Sequence, residues 1–266
     1  MHRRVIAALA VALVASLTLT AAPAGAGRKG PKPLRILVTN DDGVAGEGID
    51  AVVEALRELP NVKVTVIAPA ENQSGTGSST TPGTLTATET ELASGYPATA
   101  VAGFPADSVV YALDQGGMKQ RPHLVVSGIN EGQNLSALAD EVSGTVGAAK
   151  AAATRGIPAL AASQGLLEGG EPDFETGAAE VVRWVKQHRK ALTKKNAEVI
   201  LENLNVPTCA PGTKVRGVKE VPLAPAGTPD VIAPQGCAAT LQDTPNDIVA
   251  FNNGYVTLTE LPVPTS

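Results

Sequence analysis

The chain has 266 residues, a length that suggests one domain with an appendage. Hydrophobic residues make up 43% and charged residues 18%, which fits a packed core and excludes a disordered chain. A formal charge of −5, with only one Trp, three Tyr and three Phe, excludes a general polyanion binder and a base-stacking surface, so no nucleic-acid polymer is expected as a partner. Two Cys cannot make a four-thiolate zinc site and three His cannot make a His-rich centre, so any metal would be held by oxygen.

The first 26 residues have the form of a secretory leader. Arg3 and Arg4 precede an apolar run from Val5 to about Thr20, and Ala24-Gly25-Ala26 offers a small-x-small cleavage site. A membrane anchor is the alternative, because the run is just long enough to span. No other long apolar run follows, so no stable membrane association is expected. Export predicts a secreted or periplasmic, cell-envelope protein. In that oxidising setting Cys209 and Cys237 become a candidate disulfide, with two unrelated buried thiols as the alternative.

The mature region, residues 27–266, reads as one α/β domain. Leu34–Thr39 is an apolar run of strand length. Ile49, Val52, Val53, Leu56 and Leu59 then mark one face of a helix, and Val62–Ala68 is a second strand, stopped by Pro69. This strand–helix–strand unit implies a parallel sheet with helices on both faces. Thr84–Gly103 reads as a hairpin excursion. Leu124–Ser127 is a further buried strand, Ser143–Arg155 a helix with small residues on one face and Gly156 as its stop, and Ala159–Ser163 a strand. Asp173 is placed to cap a helix with Phe174, Ala178, Val181, Val182 and Val185 on its inner face. Val199–Val206 and Tyr255–Leu261 read as strands, whereas 206–250 is a Pro/Gly-rich extension without a clear pattern. The expected fold is a three-layer αβα sandwich with a mainly parallel, Rossmann-like sheet and an irregular C-terminal extension.

In open α/β sheets, ligands bind beyond the carboxyl ends of the strands. Polar clusters stand at several such ends: Asn40-Asp41-Asp42-Gly43, Asn72-Gln73-Ser74-Gly75, Ser127-Gly128-Ile129-Asn130 with Asn134 beyond it, and Ser143-Gly144-Thr145 at a helix start. Two adjacent carboxylates repel each other unless a cation lies beside them, and hydroxyl and amide oxygens complete a site suited to Mg²⁺, Mn²⁺ or Ca²⁺. Taken alone, Asp41-Asp42-Gly43 also reads as a turn with a helix cap, and Ser143 as a plain N-cap. A helix N-terminus beside an oxygen-bound divalent ion is suited to phosphoryl transfer. Asp-x-Asp-x-Thr/Val after the first strand, Gly-x-Gly-x-x-Gly and Gly-x-x-x-x-Gly-Lys-Ser/Thr are all absent, which argues against haloacid-dehalogenase-type, dinucleotide-binding and P-loop readings. His123 and His188 are expected to be structural or surface residues.

Together, Leu-Val-Thr-Asn-Asp-Asp-Gly (37–43), Ala-Pro-x-x-Asn-Gln-Ser-Gly-x-Gly (68–77), Arg-Pro-x-Leu-Val-Val-Ser-Gly-Ile-Asn-x-Gly-x-Asn (121–134) and Ser-Gly-Thr-Val (143–146) resemble the SurE (survival protein E) nucleotidases. The likeness runs from about Leu34 to Val206. Gln133 stands where the family usually has Pro, and Val142 where Tyr is common. The resemblance implies a divalent-metal-dependent phosphatase that converts nucleoside 5′- and 3′-monophosphates, or other small phosphomonoesters, to phosphate and the alcohol. It implies one Mg²⁺ or Mn²⁺ per subunit on Asp41, Asp42, Ser74 and Asn130, with Asp41 and Asp42 catalytic. Asn40, Asn134, Ser143, Gly144 and Thr145 would surround the phosphate, and the assembly would be a homodimer or homotetramer. A secreted nucleotide- or phosphate-binding protein with little turnover is the alternative.

Overall fold

The computed structural model describes residues 32–167 and 170–265; the leader expected over residues 1–26 lies outside them. In chain order the elements are β1 (Leu34–Thr39), α1 (Glu47–Arg57), β2 (Val62–Pro69), β3 (Ala87–Glu91), β4 (Pro97–Val101), α2 (Pro105–Asp114), β5 (Leu124–Glu131), α3 (Ser136–Val142), α4 (Gly144–Thr154), β6 (Ala159–Gln164), α5 (Phe174–Leu192), β7 (Leu201–Val206), β8 (Val218–Glu220), α6 (Asp247–Asn252) and β9 (Val256–Glu260). The nine strands form one sheet in the order β3-β4-β2-β1-β5-β6-β7-β9-β8.

The central six strands, β4 through β7, are mutually parallel. β3 pairs antiparallel with β4, so the expected hairpin exists and its second strand also extends the main sheet. On the far side β9 returns antiparallel to β7 and carries the short β8.

The side-chain alternation of β1 builds the layers. Leu34, Ile36 and Val38 pack on one face with Ile49, Val52, Val53 and Leu56 of α1 and Val181, Trp184 and Val185 of α5. Leu37 points the other way, with Ile67 and Val125, onto Val109 and Ala112 of α2 and the alanines of α4. The small face of α4 lets that helix lie close to the sheet, as its sequence suggests. The resulting three-layer α/β sandwich is the architecture expected from the sequence.

Three helices go beyond the sequence reading. α2 begins with Pro105 at its first turn, and the Phe104 N–H donates to the Asp107 carboxylate at 2.9 Å, a start signal in a segment where the sequence pattern predicts no element. α3 and α6 are only 7 and 6 residues long, too short to show a period. β5 also runs past its expected end at Ser127 to Glu131. Gly128 (φ +139°) permits a register shift between Ser127 and Asn130, so Ser127 is a buried mid-strand residue and not a strand-end ligand.

The irregular extension has a small core of its own. Ala224, Ile248 and Phe251 pack on Leu135, and the sulfurs of Cys209 and Cys237 are joined across a sequence separation of 28.

Candidate active site

The chain runs from β1 outward to β2 on one side, while β5 lies on the other. This reversal between β1 and β5 is where an open α/β sheet leaves a crevice at its carboxyl edge. Asp41 and Asp42 follow β1, and Asn130 lies near the end of β5, so the topology alone brings three of the expected ligands to one crevice.

The tip of β1 is shaped by its own backbone. Asn40 is fully buried, and its Nδ2 donates to the Gly43 carbonyl at 2.8 Å, which closes the turn. Gly43 has φ +95°, and a Cβ there would meet the main chain of Glu71 and Asn72. The loop after β2 therefore lies directly on the turn. The Gln73 N–H donates to the Asp41 carbonyl at 2.7 Å, which ties the loop that carries the exposed Ser74 to the β1 turn. The same loop is fastened further along by the Gly77 N–H to the Val142 carbonyl at 3.0 Å, and by the Thr81 N–H and hydroxyl to the buried Asp107 at 2.9 and 2.7 Å.

The two carboxylates differ in setting. Asp41 is buried and faces the start of α4, where Oδ1 accepts from the Thr145 hydroxyl at 2.6 Å. A Cβ on Gly144 would lie 3.0 Å from Asp41 Oδ2, so the bare glycine leaves room for that oxygen. Burial raises the Asp41 carboxyl above its ordinary value, against the lowering effect of the Thr145 hydroxyl and of nearby backbone N–H groups, including those of Thr145 and Gly144. Asp42 is half-buried and accepts from the Glu131 N–H at 3.1 Å. Burial, and then the adjacent Asp41 charge, push it up to about 7.

Ser143 caps α4, its Oγ accepting from the Val146 N–H at 3.2 Å, which is the plain role its sequence allows. The helix N-terminus is thus turned towards Asp41. Asn134 Nδ2 donates to Thr145 Oγ1 at 3.2 Å and to Ser163 Oγ at 2.9 Å, so this side chain supports Thr145 from behind. Asn130 Nδ2 donates to the Gly132 carbonyl at 2.6 Å, leaving its oxygen as the group suited to a cation.

Sequence reasoning missed the layer beneath. Ser163 on β6 and Asn203 and Asn205 on β7 are buried and join the Asn134 network. The signal was present: Asn203 and Asn205, two apart in one strand, face the same side. His123 and His188 lie elsewhere. The Arg35 N–H donates to His123 Nδ1 at 2.9 Å, and His188 stacks on Trp184 with ring centroids 4.1 Å apart. A cavity of about 310 Å³ beside Trp184 and His188 carries Glu180, Glu202 and Glu220, carboxylates that would repel a phosphate.

The donor set fits a hard divalent cation. Two adjacent acids are both raised, chiefly by burial, and the loop after β2 and the end of β5 carry a hydroxyl and an amide oxygen to the same edge of the sheet. Among the described residues no three His, Cys, Asp or Glu side chains cluster as a metal site. A cation here would therefore rest on the two acids completed by neutral oxygens and water.

Comparison with known proteins identifies the family. The family model for survival protein SurE matches residues 36–229. The protein named 5′-nucleotidase SurE from Methanocella arvoryzae is 44% identical over 169 residues, covering 64% of this chain and 61% of its own length. That from Methanopyrus kandleri is 41% identical over 196 residues, 72% of each chain. The chain thus spans less than two thirds of the first of these relatives. The crystal structure of the SurE protein from Aquifex aeolicus superposes with a TM-score of 0.65 at 28% identity, over 87% of this chain and 94% of the other. With the family's model matched across most of the folded region and its sheet reproduced, the chain belongs to the SurE family.

Proposed function

We propose that this protein is a divalent-metal-dependent phosphatase that releases phosphate from nucleoside 5′- and 3′-monophosphates. The observation that carries this reading is the Asp41–Asp42 pair at the β1/β5 crevice, with Asp41 set against the start of α4. The names of its relatives, 5′-nucleotidase SurE, support the substrate class.

Asp41, Asp42, Ser74 and Asn130 are the residues that would hold a Mg²⁺ or Mn²⁺. When bound, the cation supplies a Lewis acid that neutralises charge on the phosphoryl oxygens. Thr145 fixes Asp41 Oδ1 and leaves Oδ2 beside Gly144, so one oxygen is held and the other faces the space where a phosphate would lie. The α4 N-terminus adds the positive end of a helix dipole to that space. Ser143, Gly144 and Thr145 border the phosphate on this side, and Asn40 holds the β1 turn from beneath. Rapid quench distinguishes the two nucleophiles this geometry allows: a phosphoryl-Asp41 marks attack by the carboxylate, and its absence marks attack by water.

Export through residues 1–26 belongs to the same proposal, supported by the charged, apolar and small-residue segments of the leader and by the joined Cys209 and Cys237. Amino-terminal sequencing of protein recovered outside the cytoplasm should begin at Gly27. A homodimer or homotetramer is proposed on the family likeness, to be measured by light scattering.

The deciding assay is phosphate release from p-nitrophenyl phosphate and a panel of nucleoside monophosphates, with Mn²⁺ and with EDTA. Release that EDTA abolishes is expected. Binding of the same nucleotides without release would favour a phosphate-binding protein instead.

A further inference from the structure

Asn134 is gripped by a strand that contributes nothing else to the site. Its N–H donates to Asn205 Oδ1 at 2.7 Å, and its carbonyl accepts from Asn205 Nδ2 at 3.0 Å and from Asn203 Nδ2 at 2.8 Å. One side chain thus pairs with both main-chain groups of Asn134, as a neighbouring strand would. Asn203 and Asn205 are 2% and 1% exposed on β7, two strands beyond β5. Buried amides in a strand interior cost free energy that an aliphatic residue avoids, so packing alone does not account for the pair.

The grip is passed on. With its main chain fixed, Asn134 directs Nδ2 to Thr145 Oγ1. An amide N–H only donates, so the Thr145 hydroxyl accepts there and spends its own hydrogen on Asp41 Oδ1. We propose that Asn205, seconded by Asn203, is a positioning residue: through Asn134 and Thr145 it fixes the orientation of the Asp41 carboxylate. This inference rests on the phosphatase reading, but the grip itself is measurable without turnover.

The test uses the full chain and compares wild type with N205A, T145V, the double variant, and T257V as a control. Thr257 is the cross-strand neighbour of Asn205 on β9, and its buried hydroxyl makes no hydrogen bond to Asn205, Asn134 or Thr145. Steady-state kinetics with 5′-AMP and Mn²⁺ should show kcat falling about 10–100-fold in N205A, the range typical of groups that orient ligating residues, with KM changed far less. The double variant should be no slower than T145V alone, because both substitutions cut one line of contacts. N205D keeps the acceptor and loses the donor, and should fall between wild type and N205A. T257V should retain wild-type kcat.

Hydrogen exchange of the Asn134 backbone amide in metal-free protein supplies the readout independent of activity: faster in N205A, unchanged in T257V. Wild-type kcat in N205A, losses that multiply in the double variant, or equal exchange at Asn134 would each overturn the proposal. If N205A does not fold, N203A, which removes one of two donors to the Asn134 carbonyl, is read by the same kinetics, and wild-type kcat there overturns it. A wild-type enzyme inactive on every phosphomonoester would overturn the phosphatase reading instead, and the exchange measurement would still decide the grip.

Discussion

At the scale of single residues, Asp41 and Asp42 share a peptide bond but not an environment. Asp41 is enclosed and hydrogen-bonded by Thr145, while Asp42 reaches towards Glu131 and feels Asp41's charge. The ordinary carboxyl value of 3.8 rises to about 7 for Asp42 in the folded protein. Between these limits the folded, metal-free protein holds a proton that the unfolded chain has released. On this account stability falls as pH rises through that window and levels off above it. The melting temperature in EDTA should therefore drop between pH 5 and 7.5, and Asp42→Asn should remove most of that slope. Mn²⁺ at pH 7.5 should raise the wild-type melting temperature by binding the native state, and should not do so in the Asp41→Asn/Asp42→Asn double variant. Asp41→Asn alone should cut turnover by orders of magnitude while calorimetry shows a fold of at least wild-type stability, because the amide does not carry the cost of a buried charge. These acids were legible in the sequence only in company: alone the tripeptide reads as a turn with a helix cap, and the further polar clusters at strand ends tip the reading. Ser163, Asn203 and Asn205 were harder to read, because their polarity gains meaning only when β5, β6 and β7 lie side by side.

At the scale of elements, β1, α1, β2, α4 and β6 follow the sequence expectation to within a residue or two, because each carries a full period of apolar positions or a clear cap, and α5 starts where expected and runs on past Val185 to Leu192. Asp173 caps α5 as expected, accepting from the Thr176 N–H at 3.0 Å. The elements that escaped notice are those whose order comes from partners. β8 has 3 residues and exists only because β9 lies beside it. α1 shows how tightly elements must meet to build the crevice. A Cβ on Gly48 would run into the Ile129 carbonyl oxygen, so this helix seats directly on the bulged end of β5. Gly48→Ala should destabilise the protein by about 1–3 kcal/mol through overpacking, measured by urea unfolding. It should also lower activity, because the displaced segment leads into Asn130. Gly147 makes the corresponding approach on the other face, against the Gly77 carbonyl, and so holds the loop that carries Ser74.

At the scale of the whole molecule, the extension looks like decoration in the sequence and acts as a brace in the structure. The buried Asp247 accepts from the Ser136 and Ala224 N–H groups, both at 2.7 Å, and Gln133 Nε2 donates to the Val231 carbonyl at 2.8 Å. These contacts tie the far end of the chain to the loop that contains Asn134. Nothing in the Pro- and Gly-rich composition announces them, since they depend on which turn meets which backbone group. The Cys209–Cys237 bond closes this segment at a separation of 28. Replacing both cysteines with serine should lower unfolding free energy by about 3.6 kcal/mol, the loop-closure value for such a span, in urea titrations under oxidising conditions.

The strand that begins the fold ends up inside the sheet, flanked by β2 and by β5. A nascent chain delivered amino end first must wait, with one side of β1 unclothed, until Leu124–Glu131 has been synthesised. Throughout that delay the edge of β1 offers unpaired backbone N–H and carbonyl groups, an open template for any other extended segment, so the order in which the strands are born sets how long that edge stays exposed.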